Sequence, residues 1–188
     1  MKNLYLFDCF GVVITDVSTL WMQTRLNTQQ QQYARAQLFR KVDCGQMSFD
    51  DSIAELGKMC NMTASSVRAE WDCISRPMPE TLQIIQELRQ CGHTVALLSN
   101  ASVEYIDFLF TQFDLYKYFD KLFVSANYGC AKPDAEFYQV CVNSFTEKFD
   151  KIYFTDDNPV NLQNLQKFGI TPVLFTNAAQ LKRDLKLD

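Results

Sequence analysis

The pattern of apolar and polar positions changes character twice along the chain. Leu4-Tyr5-Leu6-Phe7 is apolar at every position and runs straight into Asp8, and Gly11 opens a second apolar run, Val12-Val13-Ile14. Apolarity at every position, not at alternate ones, predicts a strand buried on both faces of a parallel sheet. From about residue 16 to 76 the pattern turns helical, with no convincing strand. Thr28 is placed to cap a helix that runs through the four glutamines at 29–32 and on to Phe39, with Gly45 as its stop. Ser48-Phe49-Asp50-Asp51 has the form of a capping box ahead of Ile53, Leu56 and Met59, and Thr63 starts a helix with Val67, Trp71 and Ile74 inward.

Pro77-Met78-Pro79 marks the second change. An amphipathic helix over 80–91, closed by Gly92, is followed by strictly alternating elements. Strands are predicted at 94–98, 121–124, 151–154 and 172–175. Helices are predicted at 103–113, at 136–145, from Asn158-Pro159 to Gly169, and at 178–187. The alternation predicts an α/β fold: a doubly wound, Rossmann-like, parallel five-stranded sheet with helices on both faces. Residues 1–15 and 77–188 form this core, and residues 16–76 a helical cap domain inserted after the first strand. A cap placed there can close over a substrate and exclude water.

Composition narrows the chemistry. With 47% hydrophobic residues in 188 the chain is expected to be ordered, and a formal net charge of -4 gives no basic footprint for nucleic acid. No run approaches membrane-spanning length and no basic leader precedes an apolar core, so a cytoplasmic protein without membrane association is expected. The seven cysteines include no Cys-x-x-Cys pair, which excludes a zinc ribbon or a thioredoxin-like centre and suggests reduced thiols. His93, between Gly92 and Thr94, is the single histidine, so histidine-rich metal sites are excluded. A Ser-His-Asp or Cys-His centre would have to use it from a helix-to-strand joint, away from any nucleophile. Chemistry is left to carboxylates, lysine, hydroxyls and backbone groups.

Those groups collect at the carboxyl ends of the predicted strands: Asp8, Ser99-Asn100, Ser125 and Asp156-Asp157, with Lys132 in a following loop. Ligands of open α/β sheets gather at this edge. Three clustered carboxylates repel one another unless a cation lies among them, and oxygen-only ligands suit magnesium. Such an ion beside a free carboxylate, an ammonium and a hydroxyl makes a phosphoryl site. Neither a Walker-type phosphate loop nor a Gly-x-Gly-x-x-Gly turn occurs, which leaves covalent catalysis by an aspartate.

The motifs Phe7-Asp8-Cys9-Phe10-Gly11-Val12, Leu97-Leu98-Ser99-Asn100, Ala131-Lys132-Pro133-Asp134 and Tyr153-Phe154-Thr155-Asp156-Asp157-Asn158, in this order with a helical cap after the first, resemble the haloacid-dehalogenase-like (HAD) hydrolase superfamily. The layout is most similar to the small helical-cap branch that includes sugar-phosphate phosphatases. The resemblance implies a magnesium-dependent phosphatase acting on a small phosphorylated metabolite. In it Asp8 forms an aspartyl phosphate, Ser99 and Asn100 bind substrate, and Lys132 holds Asp8 and the phosphate. Asp8, Asp156, Asp157 and the backbone carbonyl of Phe10 bind the metal.

One position departs from the pattern. Phosphatases of the superfamily carry a second Asp two residues after the nucleophile as general acid and base, and here Phe10 stands there. Asp16 or Thr15, at the cap hinge, are candidates to replace it. Phe10 also keeps two rival readings open: a fold retained for binding after loss of activity, and a 2-haloacid dehalogenase, whose nucleophile attacks carbon. Arg25, Arg35, Arg40, Arg68 and Arg76 are cap residues within possible reach of a phosphate. The oligomeric state is not determined by the sequence.

Overall fold

The computed structural model describes residues 2–187. The strands are β1 (Leu4–Phe7), β2 (Thr94–Ser99), β3 (Lys121–Val124), β4 (Ile152–Asp156) and β5 (Ile170–Leu174). All pairings are parallel and the order is β3-β2-β1-β4-β5, so β1 is the central strand. This is the doubly wound order, which reverses direction beside β1 and opens a crevice at its carboxyl end. The unbroken apolarity of β1 has a direct cause. Leu4 and Leu6 pack with Ala96, Leu98, Phe137 and Phe154 on one face, while Tyr5 and Phe7 pack with Val95, Leu97 and Ile85 on the other. Both faces are covered, so no position tolerates a polar side chain. Pro172, which lacks an N–H, is confined to the edge strand β5.

Between β1 and β2 lie α1 (Val17–Arg25), α2 (Thr28–Tyr33), a π-helical turn (Ala34–Phe39) leading into α3 (Arg40–Asp43), α4 (Phe49–Cys60), α5 (Ala64–Ile74) and α6 (Pro79–Gln90). Trp71 of α5 centres an aromatic cluster with Trp21, Phe39 and Phe49, at ring distances of 5.8, 5.9 and 5.9 Å. The segments entering and leaving the helices α1–α5 are tied to each other. Thr15 donates its hydroxyl to the Ile74 carbonyl and accepts from the Arg76 N–H, Ile14 pairs with Pro77, and the Met78 N–H bonds to the Val13 carbonyl.

After β2 come α7 (Val103–Gln112), α8 (Ala135–Asn143) and, at the end, α9 (Ala178–Leu185). The expected five strands and their order of appearance hold, and several boundaries move. Asn27, not Thr28, caps α2, in a reciprocal capping box with Gln30. The glutamines are structural: Gln30 donates to the Met59 carbonyl and Gln31 to that of Leu26. The helix expected from Asn158 to Gly169 is instead two 3-10 turns, Pro159–Leu162 and Leu165–Phe168, separated by Asn164 in the left-handed region. Its backbone is diverted: the Asn161 carbonyl accepts from the Tyr138 hydroxyl, and the Asn161 side-chain amide donates to Asp156. β4 runs on to Asp156, and β5 begins two residues before its expected start.

Candidate active site

Asp8 leaves the end of β1 and is held by its surroundings. Its Oδ1 accepts from the Cys9 N–H at 2.6 Å and lies 2.8 Å from Lys132 Nζ. Lys132 comes from the loop after β3, and its ammonium is fully buried between Asp8 and Asp156, 2.7 Å from the Asp156 carboxylate. The loop is fixed by Asn100: its side-chain amide donates to the Lys132 carbonyl and accepts from the Lys132 N–H. Both ends of that amide are therefore engaged with backbone, and Asn100, which also lines the cavity where it is expected to bind substrate, positions Lys132.

Asp156 and Asp157 are adjacent but differently placed. Asp156 is fully buried and accepts from Lys132, from the Asn158 N–H and from the Asn161 amide, which reaches both oxygens. Asp157 is partly exposed and lies over Gly11, where a Cβ would overlap its carboxylate. Gly11 also has φ of +85°, a conformation that L side chains rarely adopt. Carboxylate oxygens of Asp8, Asp156 and Asp157 lie within 4.8 Å of one another. The Phe10 carbonyl accepts no hydrogen bond among the described residues.

The electrostatics of this group are unbalanced. Burial raises the Asp8 carboxyl, Lys132 draws it down, and Asp156 and Asp157 push it up again, to about 8. Asp157 is raised to about 6 by burial and by the charges of Asp156 and Asp16. Burial works against the Lys132 charge, but Asp156 and Asp8 outweigh it and hold its pKa above the ordinary lysine value. When all three carboxylates are ionised they exceed the one ammonium by two negative charges, which is what a divalent cation cancels and what protons partly offset without one. The donor set, carboxylates with a free carbonyl and no sulfur or imidazole, suits a hard ion such as magnesium.

These groups open into a cavity of about 540 Å³, within the range of small-ligand sites. Asp8, Phe10, Asp157, Asn100 and Lys132 line its floor, and residues from the helical segment line its roof. One wall is aromatic. Phe10 stacks on Tyr105 (6.2 Å, 9°), which stacks on Phe49 (4.2 Å, 17°), and Trp71 and Phe39 continue the surface. Ser99 ends β2 fully buried, outside the cavity lining, and its Oγ has no hydrogen-bond partner among the described residues. Ser125 is buried and bonded to the Ala101 backbone.

The candidates for the missing acid fare differently. Thr15 has its hydroxyl committed to the hinge. Asp16 lines the cavity but caps α1, accepting from the Thr19 N–H and the Ser18 hydroxyl. Of the five cap arginines only Arg35 lines the cavity, while Arg25, Arg40 and Arg68 pair with Glu70, Asp134 and Asp72, and Arg76 bonds to backbone carbonyls. His93 lies ahead of β2, at the opposite edge of the sheet from Asp8, accepting from the Asn3 N–H. Burial and Asp8 push the Cys9 thiol well above its ordinary pKa, so it is an inert filler beside the site. The pattern missed Asp43, Phe49, Trp71 and Tyr105, which read as ordinary helix positions and meet the cavity only through tertiary packing.

The comparisons agree with this geometry. Over 185 residues the chain is 25% identical to a sesquiterpene phosphatase of Aspergillus oryzae, covering 96% of this chain and 90% of the relative. It is 25% identical over 164 residues to a drimenol cyclase of Aspergillus calidoustus, covering 82% of this chain but spanning 30% of that longer protein. A HAD family enzyme of Bacteroides thetaiotaomicron has the same fold, with a TM-score of 0.78 at 18% identity over 98% of each chain. Structures of that enzyme include a complex with magnesium and inorganic phosphate. The family model for haloacid dehalogenase-like hydrolases matches residues 2–169, and with its aspartate after the central strand, its buried lysine and its acidic pair at the fourth strand, the chain belongs to that family.

Proposed function

We propose that this hydrolase is a magnesium-dependent phosphatase that forms an aspartyl phosphate on Asp8, with the helical segment 16–76 as its lid. The observation that carries the reading is the cluster of three carboxylates around the single ammonium of Lys132, opening into a cavity. Asp8, Asp157 and the Phe10 carbonyl would hold the cation, with Asp156 behind them. When bound, magnesium supplies charge neutralisation for the phosphoryl group and for Asp8. The relative described as a phosphatase and the magnesium and phosphate in the Bacteroides enzyme support the same reading.

The chain's own groups then divide the work. Lys132 fixes the Asp8 carboxylate for attack at phosphorus, while Asp156 holds Lys132 in place. The Ser99 hydroxyl, buried without a partner among the described residues, lies just behind the cavity-lining Asn100. It would serve as donor for a phosphoryl oxygen once a small local shift opens it to the cavity; an unpaired buried hydroxyl costs about 1–3 kcal/mol that a bound oxygen relieves. Phe10 can neither donate nor accept a proton. Its ring instead joins Tyr105 and Phe49 in the aromatic wall, so the organic part of the substrate is an apolar group in a small phosphorylated metabolite. The sesquiterpene phosphatase among the relatives is in keeping with such a group.

Hydrolysis of an aryl phosphate and of apolar alkyl phosphates, with and without magnesium, tests the proposal, with Asp8→Asn as control. Phosphate release that needs both magnesium and Asp8 is expected. Tight binding of the esters without turnover would favour the binding-protein reading, which Phe10 motivates. Chloride release from 2-chloropropionate without metal would favour dehalogenation, against which the uncompensated Asp157 stands.

A further inference from the structure

The loss of an acid at Phe10 raises the question of where the leaving group obtains its proton. Asp43, the last residue of α3, lines the same cavity as Asp8, Lys132 and Phe10, approaching from the roof. Its carboxylate has no hydrogen-bond partner among the described residues, in contrast to Asp16, which caps α1, and Asp156, which is saturated by donors. Its placement is enforced from both sides. Three residues earlier, Arg40 donates to the Ala131 carbonyl and pairs with Asp134, which ties α3 to the loop that carries Lys132. Two residues later, Gly45 packs so closely on the Ala126 carbonyl, beyond β3, that a Cβ would come within 2.7 Å. The turn bearing Asp43 is thus clamped onto the catalytic edge at two points.

We infer that Asp43 is the general acid and base of the reaction, delivered from the helical segment to replace the carboxyl missing at Phe10. The inference rests on the phosphatase reading above. As Asp8 forms its bond to phosphorus and the ester P–O bond breaks, the Asp43 carboxylic acid transfers its proton to the departing oxygen, releasing the alcohol. The Asp43 carboxylate then takes a proton from water, whose oxygen attacks phosphorus and breaks the bond to Asp8. Inorganic phosphate leaves, and Asp8 and protonated Asp43 are restored.

The electrostatic setting suits the role. Burial raises the Asp43 carboxyl to about 7, against the opposing pull of Lys132 and Arg40. The charged groups that line the cavity with it are Asp8, Asp16, Asp157, Arg35 and Lys132; Tyr105, whose hydroxyl burial keeps neutral, lines it too, and Arg40 stands on Asp43's own helix. A group that titrates near neutral pH can serve as acid and then as base with little cost in either direction.

The test is a rapid-mixing comparison of an aryl and an apolar alkyl phosphate, using magnesium-loaded wild type, Asp43→Asn and Asp43→Glu. Aryl leaving groups depart without protonation, so Asp43→Asn should release about one equivalent of phenol per enzyme in a burst and then stall, because water is no longer activated. With the alkyl phosphate it should show no burst, and kcat should fall about 10²–10⁴-fold. Asp43→Glu should recover part of both. Equal losses on both esters without a burst, or turnover like that of wild type, would overturn the assignment. A second readout needs no turnover: NMR titration of the metal-free protein should find a carboxyl near pH 7 that is missing in Asp43→Asn. An Asp43 that titrates below pH 5 would also overturn it. If Asp43 titrates near 7 but wild type hydrolyses neither ester, the phosphatase reading is what has failed, and the catalytic role falls with it.

Discussion

The Asp157 carboxylate packs directly over the Cα of Gly11, so closely that a Cβ at Gly11 would lie 2.6 Å from Asp157 Cγ. The turn after Asp8 and the end of β4 are thereby locked together. Gly11→Ala combines a strained φ with displacement of the proposed metal ligand. Magnesium affinity, read by calorimetry, is expected to fall at least about tenfold, on the scale of a misplaced ligand support. Unchanged affinity would show that Asp157 does not hold the metal.

Among the described residues Lys132 is the only cation between the buried carboxylates of Asp8 and Asp156. Lys132→Met would leave those charges unpaired, a change that costs about 3–5 kcal/mol when one partner of a buried pair is removed. For a chain of this size that corresponds to a fall of about 10 °C in Tm, measured by calorimetry on metal-free protein. A shift of less than a degree would mean that the carboxylates take up protons when Lys132 is removed, so that no buried charge is left unpaired.

In the metal-free protein Asp8, Asp43 and Asp157 sit at about 8, 7 and 6, all above the ordinary carboxylate range. The folded state therefore binds more protons than the unfolded chain between about pH 4 and 8, and stability falls as pH rises through that window. The Tm of metal-free protein should decline from pH 5 to pH 8, less steeply in Asp157→Asn. A rise instead would reverse the sign of these shifts.

Magnesium should act in the opposite sense. At a hundred times its Kd a ligand adds about 2.7 kcal/mol, or roughly 5–10 °C in Tm here. The gain should be largest at pH 8, where the ligands are ionised, and small at pH 5, as differential scanning fluorimetry would show.

Phe49 stacks on Tyr105 at 4.2 Å and lines the cavity opposite the carboxylates. Phe49→Ala should raise KM for apolar alkyl phosphates by about tenfold or more, from the apolar area lost, while leaving kcat within a few fold. An equal effect on a small polar phosphate ester would argue against an apolar substrate.

Much of this site was legible because strand-end chemistry is local in sequence. Asp8, Ser99 and the Asp156-Asp157 pair each follow an apolar run whose end could be located within a residue or two, while Lys132 stood out in the loop after the third strand. The roles within the group were less legible. Asp156 and Asp157 are neighbours in the chain, yet one points into Lys132 and Asn161 and the other over Gly11. The expected helix after Asn158 became two 3-10 turns because Asn161 and Tyr138 claim its backbone and side chain, a long-range contact invisible to propensity.

By itself the sequence determined the layering of the fold and the number of its strands, the insertion of a helical segment after the first strand, and the set of groups at the carboxyl edge of the sheet. Those features follow from period, capping and turn chemistry, which act over a few residues. Tertiary structure alone decided which carboxylates stay without a partner among the described residues, that Asn100 supports Lys132, and that Asp43, Trp71 and Phe49 line one cavity with Asp8. The physical reason is that desolvation and charge pairing depend on groups brought together from distant parts of the chain. A helix pattern specifies a buried face but not what that face will meet.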